Sequence, residues 1–508
     1  MSTVSVADRR RLRRHALRGE TTVLMLVLLL FTLAFMTLGF LGKLDCGGPP
    51  YDMSGRSAHW PVGKHELLMP CYSDLQFLWI GRDINNHVFP FIHGGIRPDG
   101  VLYGGAVEYP VLSGVLMYLG AIGAHTDTQF FVHSAILLAP FGILVTVLLG
   151  LLVRWWALLW AATPPLILYA FHNWELPVVA TAVGAVAIMV YGESVSDRTG
   201  RPRIPLRVSG SLAAVILAVG FCLKLYPGLF VLPLAIYVAT RGLRRADLLS
   251  PSAVRRGIDA VGAACVLGAA IVTVVAIQLP FMIAGFDGWK ASLTFQGRRR
   301  SEVDTNSIWY WGLRHLTGGM TPTYNSIVGV ASPTMILLSF ALVIALGIRA
   351  WRSGRVFPWI GVSAAMLAGF MLFHKVHSPQ YTLWILPFFV LLRVRWQLIA
   401  IYLVGDLVLD LTIFRLFGIY TSGQPMKWWV MTGVNVGVWS HALVLAILLV
   451  AFVRAPARWE STADDDGAPR RDYPTAVAAG VSASDDVGLR GGRTASAAPS
   501  STPPAGSS

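Results

Sequence analysis

Charge is what this sequence has least of. Only 13% of its 508 residues are Asp, Glu, Lys or Arg, against about 25% in an ordinary soluble domain, and the mean hydropathy is +0.59. That composition excludes a chain whose surface lies mostly in water and calls for a membrane as solvent. A basic amphipathic face and any recognisable nucleic-acid-binding module are also missing. The net charge of +14 comes largely from short connectors between apolar runs, so it points to membrane topology and not to a nucleic acid. The first apolar run, Thr22 to Leu41, is longer than a signal-peptide core and lacks a small-residue cleavage site. It reads as an uncleaved anchor behind the basic stretch Arg9 to Arg14. The far end lacks apolar periodicity. Residues 456–508, rich in Ala, Ser, Gly, Pro and Asp, are expected to form a disordered cytoplasmic tail.

What is abundant is apolar sequence in lengths that cross a bilayer. Runs of about 17–25 residues, enough as helices to traverse a hydrocarbon core of about 30 Å, recur from Thr22 to Val453. They predict an all-α polytopic membrane protein with twelve spans, near 22–42, 130–153, 155–171, 176–192, 208–223, 226–240, 260–284, 331–350, 357–373, 380–392, 396–414 and 434–453. With the basic N-terminus 1–21 in the cytoplasm, the arginine-rich connectors 198–207, 241–256, 349–355 and 393–395 also fall inside, as the positive-inside rule asks. Both termini are then cytoplasmic. This count requires that Glu108 to Ala124 lie at the membrane surface, because spanning there would turn every later connector outward. Arg298-Arg299-Arg300 is the exception. It sits in the long external loop 285–330, a length at which the charge rule weakens.

The polar residues that could do chemistry then share the outer side. They occupy the first external loop, 43–129, the turns 172–175 and 223–227, the loop 285–330 and the segment 374–380. Polar groups at the ends of apolar helices are costly unless they serve a wet cavity or a site, so one external site is expected. Of four cysteines, Cys222 and Cys265 lie in or near apolar helices, whereas Cys46 and Cys71 share the first external loop. In an oxidising compartment these two are expected to form a disulfide.

Five short segments recur in a telling order: Ser73-Asp74-Leu75-Gln76-Phe77-Leu78-Trp79, Glu108-Tyr109-Pro110, Asn173-Trp174-Glu175, Lys224-Leu225-Tyr226-Pro227 and Ser378-Pro379-Gln380-Tyr381. Over residues 20–455 the pattern resembles the GT-C membrane glycosyltransferases, and among them family 87, the polyprenol-phosphate-mannose-dependent mannosyltransferases. Phe77-Leu78 and Glu175 depart from that family's usual residues. The resemblance implies a GT-C type transmembrane domain, residues 22–455, with about twelve spans and surface helices in the first external loop. It further implies a bacterial plasma-membrane enzyme whose site faces outside. Such an enzyme moves a sugar, mannose first, from a polyprenyl phosphate to a hydroxyl of an envelope glycolipid or glycan, with inversion. An arabinofuranose donor is an alternative, as is a lipid-linked precursor transporter or flippase. A non-catalytic assembly partner for envelope enzymes is a third class.

That chemistry needs one carboxylate to take the hydroxyl proton. Asp74 is the candidate, with Asp45, Asp52 and Asp83 as rivals in the same loop; Asp74 also stands where it could cap a helix beginning at Leu75. The leaving group is a lipid phosphate, so positive charge should surround it. Lys224, Lys375, Arg298, Arg299 and Arg300 are the candidates, with His374 and His377 as hydrogen-bonding partners. Sugar or acceptor contacts are expected from Glu108, Tyr109, Asn173, Trp174, Glu175, Tyr226, Asn306 and Gln380. No cofactor and no metal are expected. The two histidines have no acidic or Cys partner at ligand spacing, and a lipid monophosphate leaving group does not demand a metal ion.

Overall fold

The longest apolar runs form the longest helices of the computed structural model, which describes residues 6–60, 71–196, 198–249 and 257–460. In chain order the main elements are α1 (Val6–Leu44), α2 (Asp74–Gly81), β1 (Gly95–Ile96), β2 (Leu102–Tyr103), α3 (Val111–Ala121), α4 (Asp127–Val153), α5 (Pro164–Tyr169), α6 (Glu175–Glu193) and α7 (Leu206–Leu223). They continue with α8 (Val231–Ala239), α9 (Ala260–Ala284), α10 (Phe286–Arg298), α11 (Pro322–Arg352), α12 (Trp359–Phe373), α13 (Thr382–Leu391), α14 (Trp396–Ser422) and α15 (Trp428–Arg454). The two strands form one small antiparallel hairpin, with Gly95 opposite Tyr103 and Ile96 opposite Leu102. Eight helices, α1, α4, α6, α7, α9, α11, α14 and α15, are long and apolar enough to cross a membrane. The protein is an all-α polytopic membrane protein.

The other four expected spans are shorter or broken. Segment 155–171 is divided among a 3-10 turn, Arg154–Ala157, a helical turn, Leu158–Ala161, and α5, because Pro164 and Pro165 cannot continue the hydrogen-bond ladder. Segment 226–240 opens with a 3-10 stretch, Tyr226–Phe230, before α8. Helices α12 and α13 have 15 and 10 residues, about 22 and 15 Å of rise, short of a hydrocarbon core of about 30 Å. Burial explains how these short pieces persist. All of α13 and nearly all of α12 are enclosed by other helices, and non-helical backbone is tolerated at membrane depth where protein surrounds it. Tight packing helps: a Cβ on Gly361 of α12 would lie 2.3 Å from the Phe452 carbonyl oxygen of α15, so only glycine permits that approach.

The segment from Glu108 to Ala124 does contain a helix, α3, but with 11 residues it is too short to span. It packs on α4 and α7, and the Ser113 hydroxyl donates to the Leu223 carbonyl at 2.7 Å, which fixes α3 at the level where α7 ends. The two long loops are themselves structured, the first by α2, the hairpin and α3, the second by α10. Residues 456–460 do not belong to a free tail. Leu392 bridges Ala457, and Arg393 donates its amide to the Pro456 carbonyl at 3.0 Å; the expected disorder of 461–508 falls outside the described residues.

Cys46 and Cys71 form a disulfide with Cα atoms 5.5 Å apart, both fully buried. It ties the end of α1 to the segment that enters α2. Closing a loop of this sequence separation, 25 residues, stabilises by about 3 kcal/mol in the chain-entropy model. Cys71→Ser is therefore expected to lower the thermal midpoint of the detergent-solubilised protein; an unchanged midpoint would show that the loop is held by its other contacts alone.

Candidate active site

Asp74 opens α2, but it is not the cap. Ser73 takes that position, its hydroxyl accepting from the Leu75 amide at 3.2 Å and donating to the Phe171 carbonyl at 2.9 Å. The Asp74 amide donates to the His172 carbonyl at 2.8 Å. The first turn of α2 thus hangs on the turn before α6, and the Asp74 carboxylate is released from capping. Its Oδ1 accepts from the Tyr72 hydroxyl at 2.8 Å. Its Oδ2 accepts from Asn173 Nδ2 at 2.6 Å and, more weakly, from Gln380 Nε2 at 3.5 Å. The side chain keeps 19% exposure and has His172 Nε2 at 3.9 Å.

Asn173 is the hub. Fully buried, it receives Lys224 Nζ at 3.0 Å and the Trp174 amide at 2.6 Å on Oδ1. Its Nδ2 faces Asp74 and the Tyr109 hydroxyl, the latter at 2.8 Å. The partners fix which end of the amide is which: an ammonium can only donate and a carboxylate can only accept, so oxygen faces Lys224 and nitrogen faces Asp74. Lys224, the residue at which α7 stops, also forms a buried ion pair with Glu175. Glu175 is the first residue of α6, where the helix dipole favours a negative charge, and it accepts from the Trp384 indole. The ammonium lies 4.9 Å from the Tyr109 ring centroid and 5.8 Å from that of Trp384, adding cation–π attraction.

This pairing corrects two expectations. Lys224 is not an open cation for a phosphate, and Glu175 is not an open carboxylate for a sugar; each is neutralised by the other inside the protein. Trp174 and Tyr226 are also closed to a sugar. Trp174 is buried against Tyr109 and Phe130, and Tyr226 is stacked on Trp384 with centroids 4.5 Å apart. Glu108 is held by Arg82, with its carboxylate oxygens 2.6 and 3.1 Å from Nε and Nη2. Asn306 is buried in a left-handed turn at φ 49°.

His374 and His377 do not share a face, because α12 ends at Phe373. His374 stacks on Phe370 and meets the Val376 carbonyl at 2.9 Å. His377 turns away to His441, Nε2 to Nδ1 at 3.1 Å. Burial pushes the pKa of each down to about 4, so both are neutral near pH 7 and neither supplies positive charge. Burial likewise holds the His172 imidazole well below its ordinary range, helped by the charges of Lys43 and Lys224. Tyr109 is held well above the usual phenol range by burial and the nearby Asp74 charge, so its hydroxyl keeps its proton.

The arginine cluster divides. Arg300 is exposed, Arg298 donates to the Arg97 carbonyl at 3.3 Å, and Arg299 lies 3.6 Å from Asp304. Among these, Arg299 reaches the Asp74 neighbourhood: its charge acts on Tyr109, Tyr381, His374 and Lys375. Lys375 donates to the Gly297 carbonyl at 3.0 Å, and burial together with Arg299 holds its ammonium below the ordinary lysine range. Two like charges on one wall favour an anion between them.

The rival acids lie elsewhere. Asp52 accepts three hydrogen bonds from Ser54 and Arg56 within its own turn, Asp83 accepts the Gly104 amide at 2.7 Å, and Asp45 is exposed beyond the end of α1. Tyr72 and Trp384 had no distinguishing sequence signal, the first being one loop aromatic among several and the second one residue of an apolar run. Asp406 and Asp410 did have one, four residues apart inside the apolar run 396–414. Both are buried in α14, where Asp406 accepts from the Thr382 hydroxyl at 2.5 Å. Among the described residues no three His, Cys, Asp or Glu side chains converge as metal ligands would.

Lys224→Met leaves Glu175 buried without a counter-charge and is expected to cost about 3–5 kcal/mol, seen as a lower melting midpoint. The double variant Lys224→Met/Glu175→Gln should recover most of that loss; equal damage from both would exclude charge pairing as the cause. The histidines give a second expectation. Between about pH 6.5, the ordinary histidine value, and the native value of about 4, the unfolded chain binds more protons than the folded one. Stability held above that window is lost as pH falls through it. Melting should therefore occur at lower temperature at pH 4.5 than at pH 7.5, and His377→Gln should flatten the dependence; an unaltered slope would remove His377 as its source.

No family model matches the chain, and no curated protein matches it. One solved structure with partial likeness is the crystal structure of the Archaeoglobus fulgidus oligosaccharyltransferase in the apo form. It is 12% identical and matches over 86% of this chain and 59% of that one, with a TM-score of 0.34. This chain thus spans less than two thirds of that protein's length.

Proposed function

We propose that this chain is a membrane glycosyltransferase whose general base is Asp74. The observation that carries the proposal is the Asp74 carboxylate itself: partly exposed, free of the helix cap, and gripped by Tyr72, Asn173 and Gln380 from separate segments. Such a grip orients a base without neutralising it, since each partner donates a hydrogen bond and none is a cation. The donor is a polyprenyl-phosphate sugar, with mannose the first candidate and arabinofuranose the second. The acceptor is a hydroxyl of an envelope glycolipid or glycan. The site faces the outside of a bacterial plasma membrane, with both termini in the cytoplasm.

In the proposed reaction the acceptor oxygen attacks the anomeric carbon from the face opposite the phosphate, and its proton passes to Asp74. A new carbon–oxygen bond forms as the sugar–phosphate bond breaks, with inversion. The electron pair of the broken bond stays on the polyprenyl phosphate, whose growing negative charge is met by Arg299 and Lys375, with Arg298 beside them. Lys224 and Glu175 act at one remove: they hold Asn173, and Asn173 holds the base. Gln380 and Tyr109 remain the polar groups best placed to meet sugar or acceptor hydroxyls.

A lipid-linked precursor transporter is the second proposal, favoured by Asp406 and Asp410, since buried carboxylates inside a membrane helix are typical of ion and substrate pathways. The two separate in one experiment on purified protein supplied with polyprenyl-phosphate mannose or arabinofuranose and a glycolipid acceptor. Asp74→Asn is expected to reduce product formation by about 10²–10⁴-fold with the melting midpoint retained, and Arg299→Gln to reduce it less. Full activity of Asp74→Asn would reject Asp74 as base. Absence of product from either donor in the unaltered protein, with lipid translocation lost in Asp406→Asn, would favour the transporter.

A further inference from the structure

At the end of the helices opposite Asp74, three arginines converge on one concavity. Its volume is about 280 Å³, and it is lined by Leu346, Arg349, Ala350, Ser353, Arg355, Val450, Val453 and Arg454. Arg349 lies in the last turn of α11 and Arg454 in that of α15, where a positive charge suits the helix dipole. The dipole accounts for each arginine singly. It does not account for three arginines lining one hollow whose lining holds no carboxylate. Arg349 and Arg454 are exposed and Arg355 half-buried, so an anion can reach all three, and it would relieve the repulsion that water and salt leave among them. Arg355 donates to the Arg454 carbonyl at 3.3 Å, and Glu460, which acts on Arg355 and Arg393, is not part of the lining.

Apart from Ser353 the rest of the lining is apolar, and the apolar character continues along both helices. On α11, Leu338 and Leu342 lie eight and four residues before Leu346. On α15, Leu443 and Ile447 lie seven and three before Val450. At helical spacing each set forms one stripe, and these four preceding residues are exposed. The stripes lead from the arginines toward the middle of the bilayer, while α12 packs against both helices.

We propose that this hollow binds the phosphate headgroup of an anionic membrane lipid, its acyl chains lying along the Leu338–Leu346 and Leu443–Val450 stripes. A basic pocket between membrane helices at the interface fits such a headgroup by charge, and the stripes fit its tails by hydrophobic contact. The site is distinct from that of Asp74. Helix α12 alone, with its 15 residues, separates the two ends by about 22 Å.

The test is native mass spectrometry of the full-length protein with added phosphatidylglycerol, phosphatidylcholine or soluble glycerol phosphate. Phosphatidylglycerol should be retained and phosphatidylcholine should not. Arg349→Gln/Arg454→Gln should weaken phosphatidylglycerol binding by about tenfold or more with the melting midpoint unchanged. If that double variant does not fold, Arg349→Gln alone should still weaken binding severalfold. Equal retention by variant and unaltered protein would overturn the proposal. So would glycerol phosphate binding as tightly as the lipid, which would make the hollow a site for a soluble phosphoester. A large gain in lipid binding when Asp464, Asp465 and Asp466 are all replaced by Asn would also overturn it, by giving the hollow to the acidic segment of the chain itself.

Discussion

The Lys224–Glu175 ion pair is the constraint on which the site depends. Both charges are buried, so neither is tolerable without the other. Because Lys224 ends α7 and Glu175 begins α6, satisfying the pair fixes how those two helix ends meet. Of the ammonium's three N–H donors one goes to Glu175 and another to Asn173 Oδ1. That bond and the one from the Trp174 amide hold the Asn173 amide, and the amide holds Asp74. A partly exposed carboxylate is thereby aimed by charges buried inside the protein.

Short interior helices make this arrangement possible. If every apolar segment were a full span, polar ends would lie only at the two membrane surfaces. Instead, α12 and α13 are brief and enclosed, and their ends bring His374 and Gln380 to the side on which α7 ends at Lys224. The disulfide between Cys46 and Cys71 performs the corresponding task from the loop side, holding the chain three residues before the carboxylate. Backbone breaks, interior burial and the covalent tie all serve to bring polar groups together where lipid cannot reach them.

Positive charge is divided in a way that residue type does not reveal. Lys224 is internal and neutralised, Arg299 and Lys375 face one wall near the carboxylate, and Arg349, Arg355 and Arg454 gather at the opposite end of the helices. Each group has different work: Lys224 holds an amide, and, as proposed, the other two meet an anion near Asp74 and a lipid headgroup.

Hydropathy and chain order by themselves determined the membrane class and the long helices, because the bilayer imposes a length and a polarity on any segment that crosses it. They also singled out the segments around Asp74, Asn173, Lys224 and Gln380, since polar residues at the ends of apolar runs stand out against a sparse background of charge. Only the tertiary structure decided which of these are open and which are paired. Nothing in the spacing of residues 175 and 224 tells that one charge cancels the other, or that Trp174 and Tyr226 lie inside while Arg299 lies at the wall. Nor could it place His377 against His441, 64 residues away. Pairing and burial depend on helices distant in the chain, and a local pattern carries no record of its distant neighbours.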